Sequence, residues 1–181
     1  VTFTCSAATG RKLRTHKAIV EHSVRFTMEA DSLNASILGR DAAPGTEEFD
    51  LFIKEVSREM TVKAGQKCTA IRRVIVPAPL TEAVIAALGA RLAKTPLGQP
   101  GDEGVRMGPP ASLAQRDEVR SRIKDLTAEA RIVSGNPDDV RVVSGDAGKG
   151  AFLNPVLLYC DKPSAAQAVH DVEAFGPVST I

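Results

Sequence analysis

The sequence predicts an α/β protein with a mostly parallel sheet flanked by helices. Three observations carry this. Short Val- and Ile-rich runs alternate with longer helical ones along the chain. The helical runs place apolar residues at three- and four-residue steps. The main Gly- and Pro-rich stretch separates elements and does not interrupt one. Alternating strands and helices are the pattern of parallel sheets built from βα units.

The elements follow in order. Val1 to Thr4 reads as a strand, the small residues Cys5 to Gly10 as a turn, and the basic segment Arg11 to Lys17 as the helix after it. Ser23 to Met28 is a second strand, with Val24, Phe26 and Met28 alternating. Asn34 to Gly39 is a third, and Pro44-Gly45 lies in the loop that follows. The helix over Glu47 to Lys63 is the best marked. Thr46 caps it, Glu47 and Glu48 suit its positive end, Phe49, Phe52, Ile53, Val56 and Met60 form one face, and Gly65 stops it. Arg72 to Pro77 is a strand, and Thr81 is placed as the cap of a helix reaching Lys94. Residues 97–110 hold four of the 14 glycines and three of the 11 prolines, which makes them a loop. Leu113 to Ala130 is amphipathic helix, Arg131 to Val133 strand, and Asn136 to Gly150 mostly turns. Pro155 to Tyr159 is a strand, Ala165 to His170 a short helix, and the last residues, Gly176 to Ile181, are again strand-like. Two apolar, strand-like ends predict a portion of a larger fold, since chain termini tend to be polar and frayed.

Composition narrows the function classes. The 181 residues are 43% hydrophobic and 25% charged, which argues against extensive disorder and allows a core without staples. A net charge of +1, from 23 basic and 22 acidic residues, lacks the footprint of a dedicated nucleic-acid binder. No apolar run approaches the ~18 residues of a membrane helix. Cys5, Cys68 and Cys160 are odd in number and far apart, so neither a disulfide framework nor a zinc cluster is expected, and a reducing, cytoplasmic compartment fits. His16, His22 and His170 show no metal-ligand spacing. Arg72-Arg73 and Arg11-Lys12-Arg14 suit phosphates or, more simply, a solvated face, and Asp138-Asp139 reads as turn chemistry.

Three segments carry chemistry. Gly65-Gln66-Lys67-Cys68 lies between a helix and a strand, where a thiol is presented on a loop; buried free cysteine is the plainer alternative. Glu29 ends a predicted strand, where a carboxylate serves as a general base or is simply an exposed turn residue. Glu173-Ala174-Phe175-Gly176-Pro177-Val178 combines a carboxylate, an aromatic ring and a Gly-Pro turn able to hold a ribose and flank a flat ring. Otherwise it is a helix end with Phe175 in the core.

Taken together and in this order, these segments resemble the base, nucleophile and nicotinamide-ribose motifs of the aldehyde dehydrogenases. Phe3-Thr4-Cys5-Ser6 resembles the same family's Phe-Thr-Gly-Ser turn, and the resemblance runs the length of the chain. Phe49 to Val56 and Gly65 to Ile75 are similar to a branch acting on CoA-linked semialdehydes in phenylacetate and benzoyl-CoA degradation. Glu29-Ala30-Asp31-Ser32-Leu33-Asn34 stands where Glu-Leu-Gly-Gly-Lys is usual, and the interval from Glu29 to Cys68 is a few residues longer than typical.

The resemblance implies a partial aldehyde dehydrogenase fold, with residues 1–30 the end of a cofactor-binding domain and 31–181 a catalytic domain. It implies Cys68 as nucleophile and Glu29 as base. Ser6, Ala30, Glu173 and Phe175 would meet NADP or NAD, with NADP slightly favoured. It further implies a CoA-linked aldehyde as substrate, a homo-oligomeric parent protein, and no metal, nucleic acid or membrane partner. The family's oxyanion-stabilising Asn would precede Val1, and its closing segment would follow Ile181. Cys5 replaces a glycine of the pattern and is expected to be buried. A purely structural lobe and a cofactor-free cysteine hydrolase remain the alternatives.

Overall fold

The computed structural model describes residues 1–181, which divide into two compact units, Val1–Ser32 and Leu33–Ile181. In the first, strands β1 (Thr2–Cys5) and β2 (Thr27–Ala30) pair in parallel, Thr2 opposite Thr27 and Cys5 opposite Ala30. Helices α1 (Ala7–Arg14) and α2 (Lys17–Glu21) make the crossover. The small residues expected in a turn belong instead to α1. Ser6 caps it, accepting from the Thr9 amide at 3.4 Å, and Gly10 lies inside it. Glycine seats α1 closely on the strands there: a Cβ would run into the Met28 sulfur and come within 3.1 Å of the Phe3 ring. The second strand is also displaced from the expected Ser23–Met28. Pairing with β1 sets its limits, while Phe26 stacks on Phe3 at 6.4 Å.

The second unit holds a five-stranded sheet ordered β3 (Asn34–Ile37), β4 (Ile71–Ile75), β7 (Val178–Thr180), β6 (Val156–Tyr159), β5 (Arg131–Ser134). Every neighbouring pair is parallel except β5 with β6. Helices α3 (Glu47–Thr61) and α4 (Thr81–Leu92) belong to one core; α5 (Leu113–Leu126) and α6 (Ala168–Asp171) belong to a second. On β6, Leu157 joins the first core and Val156 and Leu158 the second, so successive side chains enter opposite layers. A sheet buried on both faces needs continuous apolar strands, which explains the Val-Leu-Leu run.

Thr46 caps α3 by accepting from the Phe49 amide at 3.2 Å, as the sequence suggests. Thr81 does not cap α4. It begins the helix, behind Leu80, with no side-chain cap bond, because the turn Ala78–Leu80 already delivers the chain in helical geometry. The loop 97–110 carries one bridge, Leu97 to Met107, and packs with Phe152 and Ala64 in a third small core. No helix is long and apolar enough to cross a membrane.

Candidate active site

The last strand in sequence, β7, lies between β4 and β6. Cys68 shortly precedes β4, and Glu173 to Gly176 shortly precede β7. Because β4 and β7 run parallel, the two segments enter the sheet at one end. The topology therefore gathers what the sequence separates.

The Cys68 loop begins in a strained turn. Lys63, Ala64 and Gly65 all have left-handed backbone, with φ of 54°, 52° and 66°. For the two non-glycine residues this costs about 1–2 kcal/mol each. Lys67 and Ala70 then close a tight turn, the Ala70 amide donating to the Lys67 carbonyl at 3.2 Å, and Cys68 occupies its exposed crest. Asn34 donates through Nδ2 to the carbonyls of Cys68 at 2.6 Å and Ala70 at 3.1 Å. Lys67 pairs with Glu59 of α3 at 2.7 Å, and Gln66 ties the loop elsewhere. Its Nε2 donates to the Phe175 carbonyl at 3.1 Å and to Gln115 Oε1 at 3.0 Å, and its Oε1 accepts from the Ala111 amide at 2.8 Å.

Arg72 contradicts the expectation of a solvated arginine pair. It is 4% exposed, and its guanidinium bridges the carbonyls of Gly65, at 2.6 Å from Nη2, and Gly176, at 2.5 Å from Nη1. The Phe175 ring lies 5.6 Å from the guanidinium carbon, within cation–π range. Burial pushes the Arg72 pKa down to about 10 and the charge of Glu173 pulls it back up, so the side chain stays a cation at neutral pH. Arg73 is likewise partly buried, donating twice to the Leu33 carbonyl at 2.6 and 3.0 Å. Both arginines are drawn inward because β4 is an interior strand with carbonyls at its end to satisfy them.

Glu173 is half-buried and Phe175 is 37% exposed, so the ring is not a core residue. Beside it lies an open cavity of about 530 Å³, bordered by Lys63, Gln66, Pro109, Gln115 and Phe175. Amide side chains and an aromatic face give this cavity a lining that suits a flat ring with polar substituents.

The other expected residues lie in the first unit. Glu29 is exposed near the end of β2, followed by the half-buried Ala30. Ser6 is exposed at the start of α1, where its Oγ also donates to Thr9 Oγ1 at 3.1 Å. Asp31 has φ 47°, and its carboxylate accepts from the Ala7 amide at 3.0 Å, so the first amide of α1 already has an anionic partner. Cys5 is exposed, contrary to expectation: it ends β1 in a two-stranded sheet whose burial pattern leaves that position uncovered. Cys160, by contrast, is buried in the second core and forms no disulfide. His16 and His22 flank α2 and His170 is exposed in α6.

Sequence reasoning missed three residues that build the loop: Asn34, Gln66 and Arg72. Only Arg72 left a signal. It shares parity with Val74 on β4, and a charge on the core face of a strand requires buried partners.

An exposed cysteine on a tight turn, in a loop tied through Gln66 and Arg72 to a Glu-Ala-Phe-Gly-Pro segment at the end of an α/β sheet, defines a class. The chain belongs to the aldehyde dehydrogenase family, whose pattern matches residues 1–181. Among particular relatives, it is 51% identical over its whole length to the 3,4-dehydroadipyl-CoA semialdehyde dehydrogenase of Aromatoleum evansii, covering 35% of that protein. It is 29% identical to the geranial dehydrogenase of Castellaniella defragrans, again over all of this chain and 35% of the relative. Among solved structures, betaine aldehyde dehydrogenase of Staphylococcus aureus in complex with NAD+ superposes on 99% of this chain and 34% of its own, with TM-score 0.84 and 28% identity. The chain thus spans about a third of the length of the relatives it matches. The partial aldehyde dehydrogenase fold expected from the sequence is the fold observed.

Proposed function

We propose that this chain carries the nucleophile-bearing part of an NAD(P)-dependent dehydrogenase that oxidises a CoA-linked semialdehyde of aromatic-acid degradation to the acid. What supports the reading most is the joining of the Cys68 loop to the Glu173–Gly176 segment through Gln66 and Arg72. The substrate class rests on the 51% identity to a CoA-semialdehyde dehydrogenase. Phenylacetate breakdown, a cytoplasmic setting, a homo-oligomeric parent and NADP ahead of NAD rest on the sequence resemblance alone.

Cys68, as thiolate, adds to the aldehyde carbon and forms a thiohemiacetal, its exposed turn leaving the sulfur open to an incoming carbonyl. A dinucleotide held by these residues would supply the hydride acceptor. Loss of hydride leaves a thioester on Cys68. Glu29 removes a proton from water, whose oxygen attacks the thioester carbon, and the carboxylic acid leaves as the thiolate is restored. Glu173 accepts from ribose hydroxyls, Phe175 flanks the nicotinamide, and Ser6 and the backbone at Ala30 contact the rest of the dinucleotide.

The test is thiol chemistry followed by turnover. Iodoacetamide alkylates Cys68 faster than Cys5 and far faster than Cys160, read by peptide mass spectrometry. In the whole protein, Cys68→Ser lowers aldehyde-dependent NAD(P)H formation by at least about a thousandfold. Alkylation of Cys68 no faster than Cys5 or Cys160 supports a purely structural lobe instead. Cys68-dependent ester hydrolysis with no aldehyde oxidation supports the hydrolase reading.

A further inference from the structure

We propose that Arg72 is the positioning residue that sets the register between the Cys68 loop and the Glu173–Phe175 segment, so that one buried guanidinium aligns the nucleophile with the cofactor's ribose end. The inference rests on the proposed function above and concerns a residue the chemistry itself does not consume.

The geometry points to alignment and not to stability. Arg72 reaches the Gly65 and Gly176 carbonyls with two different nitrogens of one planar group. Gly65 lies three residues before Cys68, and Gly176 directly follows Phe175. A rigid fork thereby fixes the separation of two loops far apart in sequence. Neither carbonyl depends on it for a partner. The Gly65 carbonyl also accepts from the Lys67 amide at 3.0 Å, and that of Gly176 from the Val178 amide at 2.8 Å. The Nε of Arg72 is buried with no hydrogen-bond partner, so the site leaves part of a costly cation unsatisfied. A buried charge that satisfies nothing otherwise orphaned adds little net stability. What it contributes is position. The backbones are also in near-contact: a Cβ on Gly65 would strike the Gly176 carbonyl, so small shifts of either loop displace the other.

Two substitutions in the whole protein test this. Arg72→Lys keeps the cation but replaces the fork with a single nitrogen; Arg72→Met keeps the stem without charge. Titration calorimetry with NAD+ and with NADP+ reads the Glu173–Phe175 end, and iodoacetamide alkylation of Cys68 reads the nucleophile end. Both variants are expected to melt within about 5 °C of wild type, to bind the preferred nucleotide at least tenfold more weakly, and to alkylate Cys68 at a rate changed at least threefold. If Arg72→Met fails to fold, Arg72→Lys decides. Folded variants with nucleotide affinity and alkylation within twofold of wild type overturn the inference. So does a melting loss with both readouts unchanged, which marks Arg72 as structural. A wild-type protein that binds neither nucleotide, or that still oxidises aldehyde as Cys68→Ser, overturns the function itself. A dead Cys68→Ser beside unchanged Arg72 variants overturns this inference alone.

Discussion

Gly65 meets two demands that only a glycine can meet together. Its φ of +66° lies in the left-handed region, and a Cβ would enter the Gly176 carbonyl and approach the Met60 carbonyl to 2.9 Å. Gly65→Ala is therefore expected to cost roughly 3 kcal/mol or more, combining left-handed strain with displacement of backbone. Urea denaturation measures it, and a loss under about 1 kcal/mol would contradict the close approach. Lys63 and Ala64 hold similar backbone without glycine's freedom, so strain is concentrated just before the Cys68 turn. Asp31 makes the same point in the first unit. It takes φ 47° where the family pattern has glycine, which Asp tolerates better than most residues. At this scale the sequence was readable where a residue's own chemistry decides its place, as for Cys68 on its exposed turn. It was readable only in part for Arg72, whose parity with Val74 marks a core-facing charge but whose partners include a segment a hundred residues away.

Among elements, α3 is the one whose start the sequence defined well, because its cap and acidic first turn are local signals. Its end falls at Thr61, where Val62 turns extended, and not at the expected Lys63 before Gly65. Thr46→Ala is expected to destabilise the protein by about 1 kcal/mol, seen as a lower melting temperature, since it removes the acceptor of the Phe49 amide. A change within experimental error would show that the cap is dispensable in this context. The elements read less well are those whose bounds come from pairing. β2 begins four residues later than its alternating side chains suggest, because strand limits follow the partner's register, here Thr2 with Thr27. Thr81 shows the converse error, a good capping residue in a position where the preceding turn has already done the capping.

For the second unit as a whole, the decisive fact is the insertion of β7 between β4 and β6. It joins β4 to β6 within one sheet and brings the Glu173–Gly176 segment to the Cys68 loop. β6 contributes to both cores, with Leu157 completely buried in the one that holds α3 and α4. Leu157→Ala is expected to cost about 2–5 kcal/mol, the usual range for a fully buried leucine. Chemical denaturation checks it, and a cost below about 1 kcal/mol would mean that the two-layered core is not as packed as it looks. The same substitution leaves the residues of the Cys68 loop untouched, so it separates stability from alignment.

The sequence by itself determined the fold class, the helix limits with local caps, and the order of motifs that identifies the family. These depend on periodicity and on residue types whose chemistry is intrinsic. Only the tertiary structure decided the strand order, the burial of Arg72 and Arg73, and the ties made by Asn34 and Gln66. Those depend on long-range pairing, and the free energy of burying a charge or filling a carbonyl's lone pair is defined only once the partner strand is in place.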